Sequence, residues 1–114
     1  MTEEQLNEFA EYQRIAHSTA QYPEEMGVYY TALGLAGEAG ELCNKVKKIM
    51  RDRGGVVDEK TRADLAAELG DIGWYWAECC TALGLSLPAV VRGNVHKLAD
   101  RAARNAIKGS GDNR

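Results

Sequence analysis

Two pairs of acidic residues carry the chemistry that this sequence suggests. Glu38 and Glu41 stand three residues apart, and so do Glu68 and Asp71 further along the chain. In an α-helix this spacing places both members of a pair on one face, one turn apart. Carboxylates gathered in this way repel one another unless cations lie between them, and hard oxygen ligands without His or Cys favour Mg²⁺ or Mn²⁺. The pairs therefore predict a divalent-metal site between two helices.

Each pair lies beside the apolar face of its own predicted helix. The two faces consist of Leu35, Ala36, Ala39, Leu42, Cys43, Val46 and Ile49, and of Leu65, Leu69, Ile72, Trp76, Cys79, Cys80 and Leu83. At about 100° per residue, Glu38 and Glu68 fall at or near the edges of these faces, with Glu41 and Asp71 about 60° further around. A charge so close to a core is costly unless it is paired or metal-bound. Taken singly, each acid could equally be an ordinary solvated side chain.

Polar and cationic side chains near these pairs would suit a phosphorylated ligand. Lys45 falls in angle between the acids of the first pair, and Tyr75 between those of the second. A predicted fourth helix presents Asn94, Lys97 and Arg101 within a sector of about 60°. Metal ions that face Lys, Arg and Asn side chains describe a polyphosphate site, because cations and metal share the triphosphate charge. A solvated basic flank of the helix is the alternative.

The composition indicates a single all-α domain, residues 1–114. The chain has 114 residues, and its two prolines do not interrupt a long periodic segment. The net charge of −3 argues against a nucleic-acid partner, and the sequence has neither a bilayer-spanning apolar run nor a signal-peptide pattern, so no membrane contact is expected. We therefore predict a cytoplasmic protein, in the host cytoplasm if a phage encodes it. Its cysteines should be reduced and buried: Cys43, Cys79 and Cys80.

Capping signals and apolar periodicity divide the chain into four helices. Thr2 and Gln5 fit a capping box for a first helix over about residues 3–19, and Pro23 follows as a breaker. The other helices are predicted from the high twenties or low thirties to about 53, from about 59–61 to 83, and from the residue after Ser86 to about 107. Residues 109–114 have nothing to pack and should form a flexible or ligand-ordered tail.

Several stretches of the sequence resemble one known family. Beside the motif Glu38-x-x-Glu41, a gap of twenty-six residues and Glu68-x-x-Asp71, the stretches are residues 33–42, 68–75, Asn94-x-x-Lys97-Leu98-x-x-Arg101 and the ending 109–114. They are similar to the MazG-like all-α nucleoside triphosphate pyrophosphohydrolases, and above all to the short single-domain members, including those of bacteriophages. The resemblance covers about residues 22–114.

The resemblance implies a four-to-five-helix bundle that oligomerises through its long helices into a homodimer or homotetramer, whose subunits complete each other's sites. It implies hydrolysis of a (deoxy)nucleoside triphosphate to the monophosphate and pyrophosphate by a metal-activated water. Two or three Mg²⁺ or Mn²⁺ ions per site would be held by the catalytic residues Glu38, Glu41, Glu68 and Asp71, with Glu38 or Glu41 as proton acceptor. At Gly73 the family often has a longer aliphatic residue, so we expect looser packing beneath Asp71.

The substrate contacts leave alternatives open. Lys97 and Arg101 would offset charge on the leaving pyrophosphate, and Asn94 would bond phosphate or sugar. The base would rest against one or more of Tyr22, Tyr29, Tyr30, Trp74 and Trp76. Two rival functions are a non-catalytic nucleotide-binding or helical interaction module, which would bind without releasing pyrophosphate, and a structural bundle, which would tolerate alanine at the four acids.

Overall fold

The structure is a computed structural model that describes residues 1–104 and 109–112. Four α-helices make up the fold: α1 (Glu3–Ser18), α2 (Gly27–Asp52), α3 (Glu59–Ala82) and α4 (Leu87–Ala103). A short 3₁₀ turn, Glu24–Met26, joins α1 to α2. The described residues contain no strand, so the predicted all-α class is confirmed. The predicted end of the fourth helix, near residue 107, lies outside the described residues. None of the described helices has the length and apolarity needed to cross a bilayer.

The helix boundaries follow local sequence signals. Thr2 accepts a hydrogen bond from the Gln5 backbone, and the Gln5 side chain accepts one from the Thr2 backbone, as a capping box requires. Ser86 caps α4, and Asp58, which the sequence reading does not single out, caps α3. Beyond the end of α2, Gly54 has a φ of +59°, a conformation that glycine adopts readily.

The central pair of the fold is α2 and α3, which run antiparallel. A Cβ added to Gly27, at the start of α2, would lie 3.2 Å from the Cβ of Ala82, at the end of α3. Towards the other end of α2, Lys45 contacts Glu68 in the first half of α3. Because the helices run in opposite directions, their two acid-bearing segments meet near the middle of the pair.

α1 packs on α3 and α4, and a small core lies between them. The core consists of Ala16, Ala77, Cys80 and Leu87, with Phe9, Trp74, Val90 and Val91 packed against it. Gly73 faces α1, where an added Cβ would lie 3.7 Å from the hydroxyl of Tyr12. The core therefore holds α1 and α4 to the C-terminal half of α3, the half that lies away from Lys45.

Gln13 links α1 to the turn between α3 and α4. Its Nε2 donates to the Thr81 hydroxyl at 3.0 Å and to the Leu85 carbonyl at 2.9 Å. Its Oε1 accepts a hydrogen bond from the Leu87 backbone N–H at 2.9 Å. This one amide side chain thus satisfies a carbonyl and an N–H of the turn that the helices themselves leave unpaired.

Much of the apolar surface stays exposed in the single chain. Val46 of α2, Leu69 of α3 and Leu83, which follows the last residue of α3, are exposed, although periodicity assigns them to the apolar faces. Cys43 is exposed as well, so the prediction of three buried cysteines is wrong for this one. The radius of gyration is 16.8 Å, whereas a compact chain of this length would have one of about 13 Å. Periodicity identified apolar faces, but the chain itself does not cover all of them.

Candidate active site

Three of the four predicted acids come together between α2 and α3. Glu38, Glu68 and Asp71 each offer one carboxylate oxygen, and these oxygens all lie within 4.8 Å of one another. Glu38 comes from α2, while Glu68 and Asp71 lie one turn apart on α3. Glu38 and Glu68 are half-buried, and Asp71 is exposed. We call these three residues the acid cluster. Three hard oxygen donors at this separation suit Mg²⁺ or Mn²⁺.

Glu68 provides the test of whether a cation fits. Its Oε1 lies 2.8 Å from Lys45 Nζ. Its Oε2 is buried and has no hydrogen-bond partner among the described residues. A buried carboxylate oxygen without a partner is unfavourable, and a cation bound between the acids would satisfy it. The residues present therefore fit a divalent metal ion.

Crowding changes the proton affinity of the carboxyls. The pKa of Glu38 is raised above its ordinary value, first because a proton on Glu38 would form a hydrogen bond to Glu68, then by burial and the charges of neighbouring acids. The pKa of Glu68 is lowered, first by its hydrogen bond to Lys45 and next by that to Glu38. When both carboxyls are ionised they repel each other. A single proton held between them would relieve this repulsion, and so would a divalent cation.

Glu41, the fourth predicted acid, lies outside the acid cluster. It is exposed, one turn along α2 from Glu38, and borders a shallow depression together with Gly40 and Lys47. Its charge is nevertheless close enough to contribute to the raised pKa of Glu38 and of Lys45. The structure therefore brings three of the predicted ligands together and leaves the fourth at their edge.

Tyr75 lies one turn beyond Asp71 on α3, and its ring packs on Gly34 of α2. A Cβ at Gly34 would overlap the Tyr75 ring, so the close approach depends on glycine there. A hydrogen bond to Tyr30, followed by burial, raises the pKa of Tyr75. The charges of Glu38 and Asp71 raise it further. This tyrosine, one of the predicted substrate-binding residues, therefore borders the acid cluster.

From Tyr75 a group of aromatic rings extends away from the acids. We call it the aromatic cluster: Tyr22, Tyr30, Trp74 and Tyr75. Tyr22 stacks on Tyr30 with ring centroids 5.0 Å apart, and Trp74 meets Tyr75 edge-on at 5.0 Å. Three of the five predicted base-contacting residues belong to this cluster. The other two, Tyr29 and Trp76, make no ring contact within the part of the chain that is described.

The predicted phosphate-binding residues of α4 lie against the predicted tail. Lys97 Nζ is 3.0 Å from Asp112 Oδ1. Arg101 Nη2 donates to the Asp112 carbonyl at 2.9 Å and lies 3.3 Å from its Oδ1. Arg101 is almost fully buried, and its Nε has no hydrogen-bond partner among the described residues, while Asn94 is exposed. In residues 1–104 and 109–112, no hydrogen bond or ion pair joins Lys97 or Arg101 to the acid cluster.

A buried acid, Glu78, is a residue that the sequence reading does not single out. Its side chain is fully buried, its Oε1 accepts a hydrogen bond from the Tyr22 hydroxyl at 2.6 Å, and the same oxygen lies 3.1 Å from His17 Nδ1. Burial, and next the hydrogen bond to Glu78, raises the pKa of Tyr22. Glu78 stands seven residues after Asp71, a spacing that places both on one face of α3. That spacing is the signal by which the sequence could have revealed it.

Comparison with known proteins places this site in a family. The sequence model described as the MazG nucleotide pyrophosphohydrolase domain matches residues 29–104. The chain belongs to the MazG family. The match spans the acid cluster and Glu41 as well as Asn94, Lys97 and Arg101 of α4, so the MazG domain includes every acid and α4 residue that the sequence predicts for the site.

One relative extends the MazG comparison to nearly the whole chain. The Gene 37 protein of Mycobacterium phage L5 is 48% identical over 109 residues, which cover 90% of this chain and 96% of the phage protein. The predicted resemblance to short, phage-type MazG-like proteins is therefore confirmed. No solved structure matches the chain. At the level of the family, the activity is that of a nucleotide pyrophosphohydrolase.

Proposed function

We propose that this MazG domain hydrolyses a nucleoside triphosphate to the monophosphate and pyrophosphate in a Mg²⁺-dependent reaction. The observation that carries the proposal is the acid cluster, in which three carboxylate oxygens from two helices lie within 4.8 Å of one another. A purely structural bundle would have no reason to keep such mutual repulsion at a half-buried position. A family whose activity is nucleotide pyrophosphohydrolysis supplies the reaction class.

Glu38, Glu68 and Asp71 would hold Mg²⁺, with Mn²⁺ as the substitute. When bound, such an ion neutralises phosphate charge and lowers the pKa of coordinated water. Glu41 lies one turn from Glu38 and outside the cluster, so its carboxylate can accept the proton that the attacking water loses or help to hold a further ion. Lys45 favours the ionised form of Glu68 through their 2.8 Å contact, and it would meet a phosphate oxygen of the substrate.

Lys97 and Arg101 would bind the leaving pyrophosphate, with Asn94 beside them on α4. Both cations contact the carboxylate of Asp112, and this contact supports a role for the pair in binding an anion. In the described chain they do not reach its own acid cluster. We infer that α4 of a second copy brings them to it, as subunits that complete each other's sites would require.

We propose that one exposed face of α2 forms the contact with that second copy. We call it the outer stripe, whose positions alternate in steps of four and three residues: Tyr29, Leu33, Ala36, Gly40, Cys43, Lys47 and Met50. All of them are exposed, Leu33 at 73% and Met50 at 70%. This alternation is the repeat by which two helices pack side by side. Apart from the adjoining backbone of α2, no atom of the described residues lies within 4 Å of a Cβ added at Gly40, so another helix can approach closely there. The chain would form a homodimer, or a homotetramer built from two dimers.

The decisive experiment is pyrophosphate release from a panel of ribo- and deoxyribonucleoside triphosphates with MgCl₂ or EDTA. We expect turnover with MgCl₂ alone, and a loss of at least about 10³-fold in Glu68→Gln, because this change removes a metal ligand and the partner of Lys45. Glu59→Gln is the matched control, since Glu59 is an exposed acid on the same helix. Equal turnover of wild type and Glu68→Gln would refute the proposal, and nucleotide binding without pyrophosphate release would indicate a binding module.

A further inference from the structure

Glu78 is fully buried, yet only one of its two carboxylate oxygens has a hydrogen-bond partner among the described residues. Tyr22 and His17 both contact its Oε1, whereas its Oε2 is buried and has no hydrogen-bond partner within the described residues. A buried carboxylate oxygen that lacks a donor is unfavourable, because it has lost its bonds to water without gaining others. Such a group in a folded protein calls for an explanation, and the packing of α1 on α3 needs only the occupied oxygen.

Along α3, Glu78 lies at a distance from the acid cluster that a nucleotide can span. It follows Asp71 by seven residues on the same face of α3, and the helical rise separates the two by about 10 Å. This separation matches the reach from the phosphates of a nucleotide to the far edge of its base. Tyr75 lies between them, and the rest of the aromatic cluster adjoins it. Aromatic faces are surfaces on which bases stack.

A cavity lies beside the two side chains that contact this carboxylate. It has a volume of about 360 Å³ and is lined by His17, Tyr22, Gly27 and Thr81 among others. Its size is that of a small-ligand pocket. Two of its lining residues, His17 and Tyr22, are the side chains that contact Glu78. His17 is largely exposed, and Tyr22 is only partly buried. Rotation of the Tyr22 ring would therefore open Glu78 to the cavity.

The chemistry of Glu78 limits which base it can read. An ionised carboxylate accepts hydrogen bonds and donates none. Cytosine and adenine carry an exocyclic amino group at C4 or C6 and guanine carries one at C2, and each of these groups donates N–H. Thymine and uracil carry a carbonyl oxygen at C2 and at C4, so their own N–H donor has oxygen on both sides. Such an oxygen would face the lone pairs of the carboxylate.

We propose that Glu78 selects nucleoside triphosphates whose base carries an exocyclic amino group. The inference rests on the proposed function of the acid cluster and adds the substrate class. Glu78 is then a specificity-determining residue that lies two helical turns from the reacting phosphates.

The test compares wild type with Glu78→Gln on dCTP, dATP, dGTP, dTTP and dUTP. We expect wild-type kcat/KM to favour the three amino-bearing bases over dTTP and dUTP by at least about tenfold. In Glu78→Gln the amide NH₂ can donate to a carbonyl, so the preference should fall towards equality or reverse. Glu59→Gln, the exposed acid-to-amide change on the same helix, should keep the wild-type preference. Equal preferences in wild type and a folded Glu78→Gln variant would overturn the inference.

Two further measurements keep the test decisive. Calorimetry with dCMP, dAMP, dGMP, dTMP and dUMP measures base preference without turnover. If the protein released no pyrophosphate, the proposed function would be refuted, and the binding data would still test the base preference. If Glu78→Gln does not fold, the wild-type panel and Glu78→Asp decide. Glu78→Asp should keep the preference for amino-bearing bases at a lower affinity, and a wild type without that preference in either assay would refute the inference.

Discussion

Protons and divalent cations compete for the acid cluster. The raised pKa of Glu38 means that the folded, metal-free protein keeps a proton there that the unfolded chain has already lost. The stabilising contribution of Glu38 is therefore complete below the ordinary glutamate pKa and is lost as pH rises through the raised value. Glu68, with its lowered pKa, has the opposite sign: its contribution is present above the ordinary value and is lost as pH falls through the lowered one. At neutral pH and without metal, the carboxylates of the acid cluster therefore still repel one another, as the raised pKa of Glu38 indicates.

We predict that Mg²⁺ raises the unfolding temperature most at neutral pH, and progressively less as pH falls through the raised pKa of Glu38. At a concentration one hundred times its Kd, a ligand of the folded state adds about 2.7 kcal/mol to the free energy of unfolding. Calorimetry from about pH 4 to about pH 8, with EDTA or MgCl₂, measures the effect. Glu38→Gln should remove most of the Mg²⁺ effect and its pH dependence. An undiminished effect in this variant would mean that the ion binds elsewhere.

At the scale of the helices, the crossing of α2 and α3 depends on the contact between Gly34 and Tyr75. We predict that Gly34→Ala destabilises the protein by about 1–3 kcal/mol, because the new methyl group overlaps the Tyr75 ring and the ring must move. The displaced ring should also lower kcat/KM. Thermal unfolding and pyrophosphate release measure the two effects.

Gly93→Ala is the control for this substitution. Gly93 also lies within a helix, and outside the adjoining backbone of α4 a Cβ added there has no atom of residues 1–104 or 109–112 within 4 Å. Its replacement should stabilise the protein by about 0.5–1 kcal/mol, since alanine favours the helix more than glycine does. If both glycines responded alike, helix propensity and not the close approach would govern position 34.

The helix ends were predictable because their signals are local. Thr2 with Gln5, and Ser86 before its helix, act through hydrogen bonds that span a few residues. The acid cluster was largely predictable too, since spacing puts two acids on one face of each helix. The position of Glu41 at the edge depends on how α2 crosses α3, which no local pattern records. Glu78 was missed because an acid in a helix is ordinarily assigned to solvent, and its burial depends on Tyr22 and His17, distant in sequence.

The scale of the whole molecule explains why so much apolar surface is exposed. Few large apolar residues are fully buried, and the outer stripe of α2 is left uncovered by the chain itself. Apolar periodicity reveals which face of a helix will be covered, but the partner that covers it can be another molecule. Val46 and Leu69 are exposed despite their place in the predicted pattern, and the proposed dimer offers a second copy that would cover such positions.

We predict that Leu33→Lys and Met50→Lys each weaken self-association at least tenfold, which corresponds to about 1.4 kcal/mol. A lysine ammonium in the outer stripe would have to lose its water at a helix–helix contact. Sedimentation velocity over a range of protein concentrations measures the change, and specific activity should fall as the copies separate. Val56→Lys, at an exposed apolar position in the loop after α2, should leave association unchanged. A wild type that sediments as a monomer at every concentration would contradict the proposed dimer.

The amide of Gln13 joins three helices through two donated hydrogen bonds and one accepted. A chemical change in this one side chain would therefore disturb the contacts of all three helices. Deamidation would leave the side chain the same shape but replace the donating nitrogen with an oxygen that faces the Leu85 carbonyl. A stored preparation would in this way loosen its first helix while its chain length stays the same, and the added negative charge would lower its isoelectric point.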